Sequence, residues 1–226
     1  MRSFAVLALI VVFVATAKAN ADETMPAGFV DAATVVPGLV VDMRYFGSNN
    51  FVGRPIDGYE APRCIVTRQA AEALARVQAD LKGDGLGLKV FDCYRPARAV
   101  AEFVRWAADP ADTAMKAEYY PDLAKSELFP KGYIAERSGH SRGSTADLTL
   151  VRLDDKSELP MGTGYDFFSE RSWPTDPNQP PEARANRRRL SKIMQRHGFK
   201  PYAHEWWHFT LADEPYRDTY FDFPVR

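Results

Sequence analysis

The chain has 226 residues, with 29 Lys and Arg against 30 Asp and Glu, and a net charge of −1. This balance gives no electrostatic reason to expect a nucleic-acid partner or an anionic membrane surface, since both are recognised by clustered positive charge. A hydrophobic fraction of 46% with 12% aromatic residues excludes a disordered chain and predicts a packed globular protein.

Residues 1–19 have the pattern of a secretory signal peptide. Arg2 precedes an apolar run over residues 4–15, and Ala17-Lys18-Ala19 is an A-x-A cleavage site. A second such site ends at Ala21. The apolar run is shorter than the roughly 20 residues that span a bilayer, and polar residues follow it at once, which disfavours a retained anchor or a buried helix. We therefore predict an exported protein, periplasmic or secreted, with no membrane anchor after cleavage.

The remaining residues, 20–226, predict a single domain, because no linker or internal repeat divides them. The sequence carries no signal for an oligomeric state. In chain order we expect an extended segment over 35–44, a loop over 45–50, a helix over 68–81 capped by Thr67, and a strand over 86–93. A helix over 97–107 follows Pro96, and a long irregular connection covers 108–136. A strand over 147–151 begins at Asp147, a helix follows Pro180-Pro181 and ends at about His197, and a last strand carries the stretch around 204–211. The Arg187-Arg188-Arg189 run is interpreted as a solvated face of the helix after Pro180-Pro181, and a specific anion site is the alternative, for which the sequence gives no support. Helices and short strands without regular βαβ spacing favour an α+β fold with an antiparallel sheet and flanking helices.

The chain has two cysteines, Cys64 and Cys93, which are too far apart for a Cys-x-x-Cys metal site. In an exported protein such a pair more often forms a disulfide, and two buried thiols are the alternative.

The strongest chemical signal is His204-Glu205-Trp206-Trp207-His208, in a chain with four histidines. It matches H-E-x-x-H, in which two histidines on one helix bind zinc and the glutamate is the base. The surrounding residues, however, favour a strand, and Pro201 lies three residues before His204. We therefore expect His208 to act from a strand, with Glu205 in the turn leading into it.

Another histidine and an acid occur together in Ser138-Gly139-His140-Ser141-Arg142-Gly143-Ser144-Thr145-Ala146-Asp147. Small residues between them let both side chains reach one ion. His140, Asp147 and His208 would then supply two histidines and a carboxylate, which leaves a coordination position open for water, as a catalytic zinc site requires.

These motifs resemble the zinc D-alanyl-D-alanine dipeptidases of the vancomycin-resistance type, a branch of the metallopeptidases that include DD-carboxypeptidases and share the hedgehog fold. The similarity covers about residues 40–210 and rests on further segments: Asp42-Met43-Arg44-Tyr45, Asn50-Phe51-Val52-Gly53, Asp92-Cys93-Tyr94-Arg95-Pro96, Met161-Gly162-Thr163, Tyr165-Asp166 and Ser169-Glu170-Arg171-Ser172. Thr145 departs from the pattern, which usually has Ala there. The added bulk beside Asp147 is not expected to abolish metal binding.

The resemblance implies one Zn²⁺ per chain, held by His140, Asp147 and His208, and hydrolysis of D-alanyl-D-alanine to two D-alanines by a metal-activated water. It implies that Glu205 moves the proton and that Arg95 stabilises the oxyanion, for which a structural ion pair is the alternative. Other residues implied to bind the dipeptide substrate are Asp166, which would hold the ammonium, and Ser138 and Tyr45; a turn-capping role for Asp166 and a core position for Tyr45 remain open. His204 is not assigned to the metal.

Two other functions are compatible with the same motifs. One is a zinc DD-carboxypeptidase or peptidoglycan endopeptidase of the same fold. The other is a non-catalytic cell-wall-binding domain that keeps the metal for stability. Retention of Glu205 beside a complete ligand set favours an enzyme.

Overall fold

The computed structural model describes residues 24–226, so the predicted signal peptide lies outside the described residues. The described strands are β1 Phe29–Asp31, β2 Val40–Val41, β3 Ile65–Thr67, β4 Leu86–Asp92, β5 Thr145–Arg152, β6 Phe199–Pro201 and β7 His208–Leu211. The α-helices are α1 Arg68–Lys82, α2 Ala97–Ala108, α3 Lys116–Tyr119, α4 Lys125–Leu128 and α5 Pro181–Arg196. None of the helices in this part of the chain has the length and apolar character to cross a membrane.

The main sheet has five strands in the order β2-β4-β5-β7-β6, and β1 pairs with β3 in a separate two-stranded sheet. Every pairing is antiparallel except that of β2 with β4, which is parallel. The α+β prediction is confirmed. The expectation of an antiparallel sheet holds for all but one edge pairing, where the two-residue strand β2 runs in the same direction as β4.

Helix α1 illustrates how local signals set the elements. The Thr67 hydroxyl accepts a hydrogen bond from the Ala70 amide, which satisfies one of the free N–H groups at the helix start. The apolar residues at helical spacing are buried, and Leu74 and Val77 have no exposed surface. This face of α1 packs against β4, and α5 packs against β5 and β6. The two helices thus cover the sheet that carries the site.

Three stretches differ from the sequence-based expectation. The extended segment predicted at 35–44 contains only the short β2, followed by a 3₁₀ turn over Arg44–Phe46 in what was expected to be a loop. The connection over 108–136 contains two one-turn helices, α3 and α4. The interpretation of the arginine run as a solvated face is wrong for Arg187, which is 2% exposed.

Cys64 and Cys93 form a disulfide that joins the residue before β3 to the residue after β4. The segment 221–225 covers this region. The Tyr94 hydroxyl donates to the Phe223 carbonyl, and the Phe221 amide donates to the Ser141 carbonyl. The end of β4 is therefore held by a covalent bond and by the last residues of the chain.

Candidate active site

Two carboxylate side chains and one imidazole form a row across the centre of the sheet. The strand register pairs Asp92 of β4 with Asp147 of β5, and Asp147 with His208 of β7. The ladder of β4 and β5 shifts between Val90 and Asp92, an irregularity of the kind that often re-aims side chains beside active sites. Pairing of three distant segments thus brings together residues from 92 to 208.

His140 joins this row from a 3₁₀ turn, Gly139–Arg142, that precedes β5. The Ser138 hydroxyl accepts a hydrogen bond from the His140 amide and caps the turn. Gly143 ends it with a φ of +82°, and a Cβ at this position would collide with the Phe29 ring, which explains why the motif has glycine there. The small residues noted in the sequence therefore build a tight turn that points His140 at Asp147.

The His140 ring is held in a defined tautomer. Its Nδ1 lies 2.7 Å from the Cys93 carbonyl oxygen, which can only accept, so Nδ1 carries the proton. In the neutral ring, Nε2 then presents a lone pair. It lies 3.3 Å from Asp147 Oδ1 and 3.3 Å from His208 Nδ1.

These three residues have the arrangement of a metal site. One donor atom from each of His140, Asp147 and His208 lies within 4.8 Å of the others. Asp147 Oδ1 is buried and accepts no hydrogen bond, although it lies 3.1 Å from His208 Nδ1. A buried carboxylate oxygen without a hydrogen bond, facing two ring nitrogens, fits a cation bound among the three atoms.

The electrostatics agree with this arrangement. Burial opposes ionisation of Asp147, but the neighbouring imidazoles of His140 and His208 lower its pKa below the ordinary value. Burial lowers the pKa of His208. The result is an ionised carboxylate beside a neutral imidazole, which are the protonation states that bind a cation.

Glu205 lies in the turn that leads into β7, as the sequence predicted. Its Oε2 is 3.5 Å from His208 Nδ1, and its side chain is largely buried. Burial, and then the charges of Asp147 and Asp166, raise the pKa of Glu205 well above its ordinary value. A carboxyl group with a raised pKa beside a metal site is suited to take up and release a proton.

His204 does not belong to the cluster. Its ring stacks on Trp173 with centroids 5.2 Å apart, and Tyr202 lies beside it. Residues 204–208 form a turn and the start of β7, with no helix. The H-E-x-x-H helix is therefore absent from this part of the structure.

Arg95 reaches the site from the segment between β4 and α2. Its guanidinium forms two contacts with Asp92 Oδ2, at 2.9 and 2.8 Å, and lies 3.8 Å from Asp147 Oδ2. The rings of Tyr45 and Phe103 flank it. Arg95 thus forms an ion pair and also lies beside the candidate metal ligands, and its role toward an oxyanion stays a prediction.

The sequence alone assigns no role to Asp92 beyond its place in the Asp92-Cys93-Tyr94-Arg95-Pro96 motif. It has no exposed surface, and it accepts hydrogen bonds from the Tyr59 hydroxyl at 2.6 Å and from Arg95. Its Oδ2 is also 3.3 Å from His140 Nδ1. Its place at the end of a buried strand, three residues before an arginine, was the available signal.

The floor of the site is a chain of hydroxyl and carboxyl groups. The Tyr45 hydroxyl donates to Asp166 Oδ2 at 2.7 Å, and the Tyr165 hydroxyl lies 3.2 Å from Tyr45 and 3.1 Å from Asp147 Oδ2. Burial, and then the charge of Asp147, raise the pKa of Asp166 to about 8. Tyr165 is a further member that sequence reasoning missed. Asp166 has a φ of +56°, a conformation that costs energy outside glycine and that often occurs at functional sites.

The site opens into one cavity of about 230 Å³. This is smaller than the roughly 300–1,000 Å³ of pockets for drug-sized ligands, so the site accepts a small molecule. The cavity is lined by every residue predicted to bind metal or substrate or to act in catalysis, namely Tyr45, Arg95, Ser138, His140, Asp147, Asp166, Glu205 and His208.

Comparison with known proteins identifies the family. A family model described as Peptidase_M15, D-ala-D-ala dipeptidase, matches residues 25–226. A D-alanyl-D-alanine dipeptidase of Enterococcus faecium is 45% identical over 202 residues, which cover 89% of this chain and all of that one. A second, of Enterococcus faecalis, is 46% identical over 201 residues with the same coverage.

Among solved structures, VanYB in complex with D-Alanine-D-Alanine superposes with a TM-score of 0.41 and 15% identity, over 68% of this chain and 75% of that chain, a likeness too weak to carry an inference. The family match and the identities confirm the resemblance drawn from the motifs. The chain belongs to the M15 peptidases, in the D-ala-D-ala dipeptidase family.

Proposed function

We propose that this chain is a zinc-dependent dipeptidase that hydrolyses D-alanyl-D-alanine to two D-alanines, with one zinc ion per chain. The observation that carries the proposal is the triangle of His140, Asp147 and His208 donor atoms beside the Glu205 carboxyl group in a small cavity. The two Enterococcus relatives carry the same activity in their names.

Zinc is proposed because the spacing of the donor atoms suits it. Ligand distances of about 2.0–2.2 Å in a tetrahedral site separate the ligand atoms by about 3.3–3.6 Å. The three separations are 3.1, 3.3 and 3.3 Å, so the pocket is close to the size of a zinc ion before any movement. Two imidazoles and one carboxylate also leave a position open, as in catalytic zinc sites.

When bound, zinc would lower the pKa of a coordinated water and polarise the scissile carbonyl group. The protein supplies the proton transfer. Glu205 accepts the proton of the attacking water as the C–O bond forms. It then donates this proton to the amine nitrogen as the C–N bond breaks, so that the amine leaves in neutral form. Arg95, fixed by Asp92 and two aromatic rings, provides positive charge where the carbonyl oxygen becomes negative.

Asp166 selects the substrate by its free amino terminus. A buried carboxyl group on the cavity floor favours an ammonium group as its partner, because the pair neutralises a charge that burial disfavours. Ser138 lines the same cavity, and its hydroxyl is already engaged by the His140 amide. An N-acylated D-Ala-D-Ala lacks the ammonium and is expected to be a poor substrate.

The activity is tested by zinc quantification together with amino-acid release from D-Ala-D-Ala, L-Ala-L-Ala and a wall pentapeptide. Rapid release from D-Ala-D-Ala alone supports the proposal. Equal cleavage of N-acylated D-Ala-D-Ala or of the pentapeptide would indicate a carboxypeptidase or endopeptidase instead.

Matched variants separate the roles of the motif residues. Glu205→Ala is expected to retain zinc and lose turnover, which a non-catalytic wall-binding domain would not show. Asp147→Ala is expected to lose zinc, whereas His204→Ala keeps it because His204 stacks on Trp173 outside the cluster. The reverse result would restore the H-E-x-x-H assignment.

We also propose that the protein is exported and acts on dipeptide released by wall turnover, in nutrition or recycling. The signal-peptide pattern over residues 1–19 supports export, and so does the Cys64–Cys93 disulfide, since disulfides persist in oxidising compartments. Destruction of the dipeptide before its use in wall precursors would require a cytoplasmic enzyme. Cell fractionation tests this, and recovery of the uncleaved protein in the cytoplasm would refute it.

A further inference from the structure

The cavity has two arginines in its lining, and only one of them is engaged by a carboxylate. Arg95 is paired with Asp92 at the end of β4. Arg137 forms no ion pair with any described residue, and its guanidinium lies over the Tyr220 ring, 5.3 Å from the centroid. A cation that lines a substrate cavity and has no counter-ion is available to a ligand.

Arg137 is held at the mouth of the cavity. It is exposed and precedes Ser138, the residue that caps the turn carrying His140. Tyr220 is shared with Arg142, which is already neutralised by two contacts of 2.9 Å with Glu214. The Tyr220 ring therefore packs against the Arg137 guanidinium, and Arg142, the other cation on this ring, is paired with Glu214.

The charges of the cavity are separated by depth. Asp166, at the floor, is 5% exposed, whereas Arg137 is at the exposed rim. A free dipeptide carries an ammonium group at one end and a carboxylate at the other. An ammonium bound at Asp166 directs the carboxylate outward, toward Arg137.

We propose that Arg137 binds the free carboxylate of the dipeptide and so sets the length of the substrate. This inference rests on the proposed function. A dipeptide spans at most about 7 Å, and each further residue displaces the carboxylate by about 3.3–3.6 Å. With one terminus at Asp166 and the other at Arg137, each further residue moves the carboxylate away from its position in the dipeptide, so we expect a tripeptide to bind more weakly.

The test compares two ligands that differ only in the carboxylate: D-Ala-D-Ala and its C-terminal amide. Binding is measured by calorimetry on the zinc-loaded mature protein carrying Glu205→Ala, so that turnover does not interfere. A charge-assisted hydrogen bond contributes about 1.5–3 kcal/mol, so the acid should bind roughly 10–100-fold more tightly than the amide. Arg137→Gln should abolish this preference, and Arg137→Lys should retain part of it.

Lys131→Gln is the matched control. Lys131 is an exposed cation in the same segment, pairs with Glu127 at 3.8 Å and does not line the cavity. Its loss should leave the preference unchanged. In the active enzyme, Arg137→Gln should raise KM for D-Ala-D-Ala at least tenfold while kcat changes by less than about threefold, the pattern of a lost binding contact.

Two results would overturn the role of Arg137 alone: an acid-to-amide preference unchanged in Arg137→Gln, or the same loss of preference in Lys131→Gln. In either case D-Ala-D-Ala would still be bound and cleaved by the unsubstituted protein. Failure of the unsubstituted protein to bind or cleave D-Ala-D-Ala would instead refute the proposed function, and the inference with it.

Discussion

At the scale of single residues, Asp92 connects the parts of the site that must act together. One of its carboxylate oxygens accepts from Tyr59, and the other faces both Arg95 and the ring of His140. The same side chain thus orients a metal-ligand candidate and the proposed oxyanion partner. Groups that orient metal ligands in this way commonly matter nearly as much as the ligands themselves.

Asp92→Asn keeps the size of the side chain and removes its charge. We expect zinc affinity or kcat to fall by about 10–100-fold, which is the usual cost of losing a group that orients a metal ligand. Zinc titration and steady-state kinetics on the same preparation measure both. Tyr59→Phe is the control, because it removes one hydrogen bond to Asp92 and leaves the contacts to Arg95 and His140 in place. Equal behaviour of Asp92→Asn and the unsubstituted protein would contradict this role.

We expect Asp166 to make the stability of the metal-free protein depend on pH. Its native pKa of about 8 lies above the ordinary value of 3.8, because burial and the Asp147 charge disfavour the ionised form. Between pH 4 and 8 the native state therefore holds a proton that the unfolded state has released, so this group's contribution to stability falls as pH rises through that window.

Asp166→Asn removes that dependence. With zinc removed by a chelator, the Asp166→Asn variant should gain stability relative to the unsubstituted protein as pH rises from 5 to 8. Urea denaturation at the two pH values measures the difference. A constant difference between the two proteins would show that Asp166 is not the group responsible.

At the scale of elements, the loop 161–173 is anchored from beneath by Arg187 of α5. The buried guanidinium donates to the carbonyl oxygens of Met161, Trp173 and Arg171 at 2.7, 2.7 and 3.0 Å. Burial lowers its pKa to about 10, so it remains charged at neutral pH. Because the loop carries Asp166, one side chain fixes the position of the proposed ammonium site.

The same loop also holds the turn with Glu205. The Thr163 hydroxyl accepts from the Trp206 indole at 2.9 Å, and the Trp206 amide donates to the Ser172 carbonyl. The proposed proton-transfer residue, Glu205, and the proposed ammonium-binding residue, Asp166, are thus positioned by the same loop.

Arg187→Met should destabilise the protein by about 2–4 kcal/mol, because it leaves several buried carbonyl oxygens without donors. Arg187→Lys restores the charge but cannot reach all the acceptors, so its stability should be intermediate. Chemical denaturation ranks the three proteins. Arg188→Met, at the neighbouring exposed position, should have little effect, and a similar loss in both methionine variants would contradict the anchor.

The contrast between Arg187 and its neighbours shows where sequence reasoning ends. Local sequence patterns predict the apolar face of α1, the Thr67 cap and strand β4. They also predict that Glu205 lies in the turn before the last strand. Which arginine of a run is buried depends on the loop that folds over it, and no local pattern encodes that contact. The row Asp92, Asp147, His208 likewise depends on the register between strands distant in sequence. Residue types and the motif resemblance predict the candidate ligands, but neither predicts the position of Asp92, which depends on that register.

At the scale of the whole molecule, the disulfide stabilises the strand end that supports the site. Cys93 supplies the carbonyl oxygen that fixes the His140 tautomer, and its sulfur is bonded to Cys64, 29 residues earlier. Replacing both cysteines with alanine should lower the free energy of unfolding by about 3–4 kcal/mol in the chain-entropy model. Zinc affinity should also weaken. Thermal unfolding and zinc titration of oxidised, reduced and substituted protein test this, and full zinc affinity without the bond would contradict the coupling.

Residues 221–225 also contact the residues that position Asp92. Val225 forms a bridge with Tyr59, and the Glu60 and Ala61 amides both donate to its carbonyl oxygen. The Tyr59 hydroxyl in turn donates a hydrogen bond to Asp92. The scaffold of the site therefore includes residues 221–225, which are distant in sequence from Asp92. A protein truncated before residue 221 should therefore be more sensitive to protease and retain zinc less well than the unsubstituted protein, which limited proteolysis and zinc titration would measure.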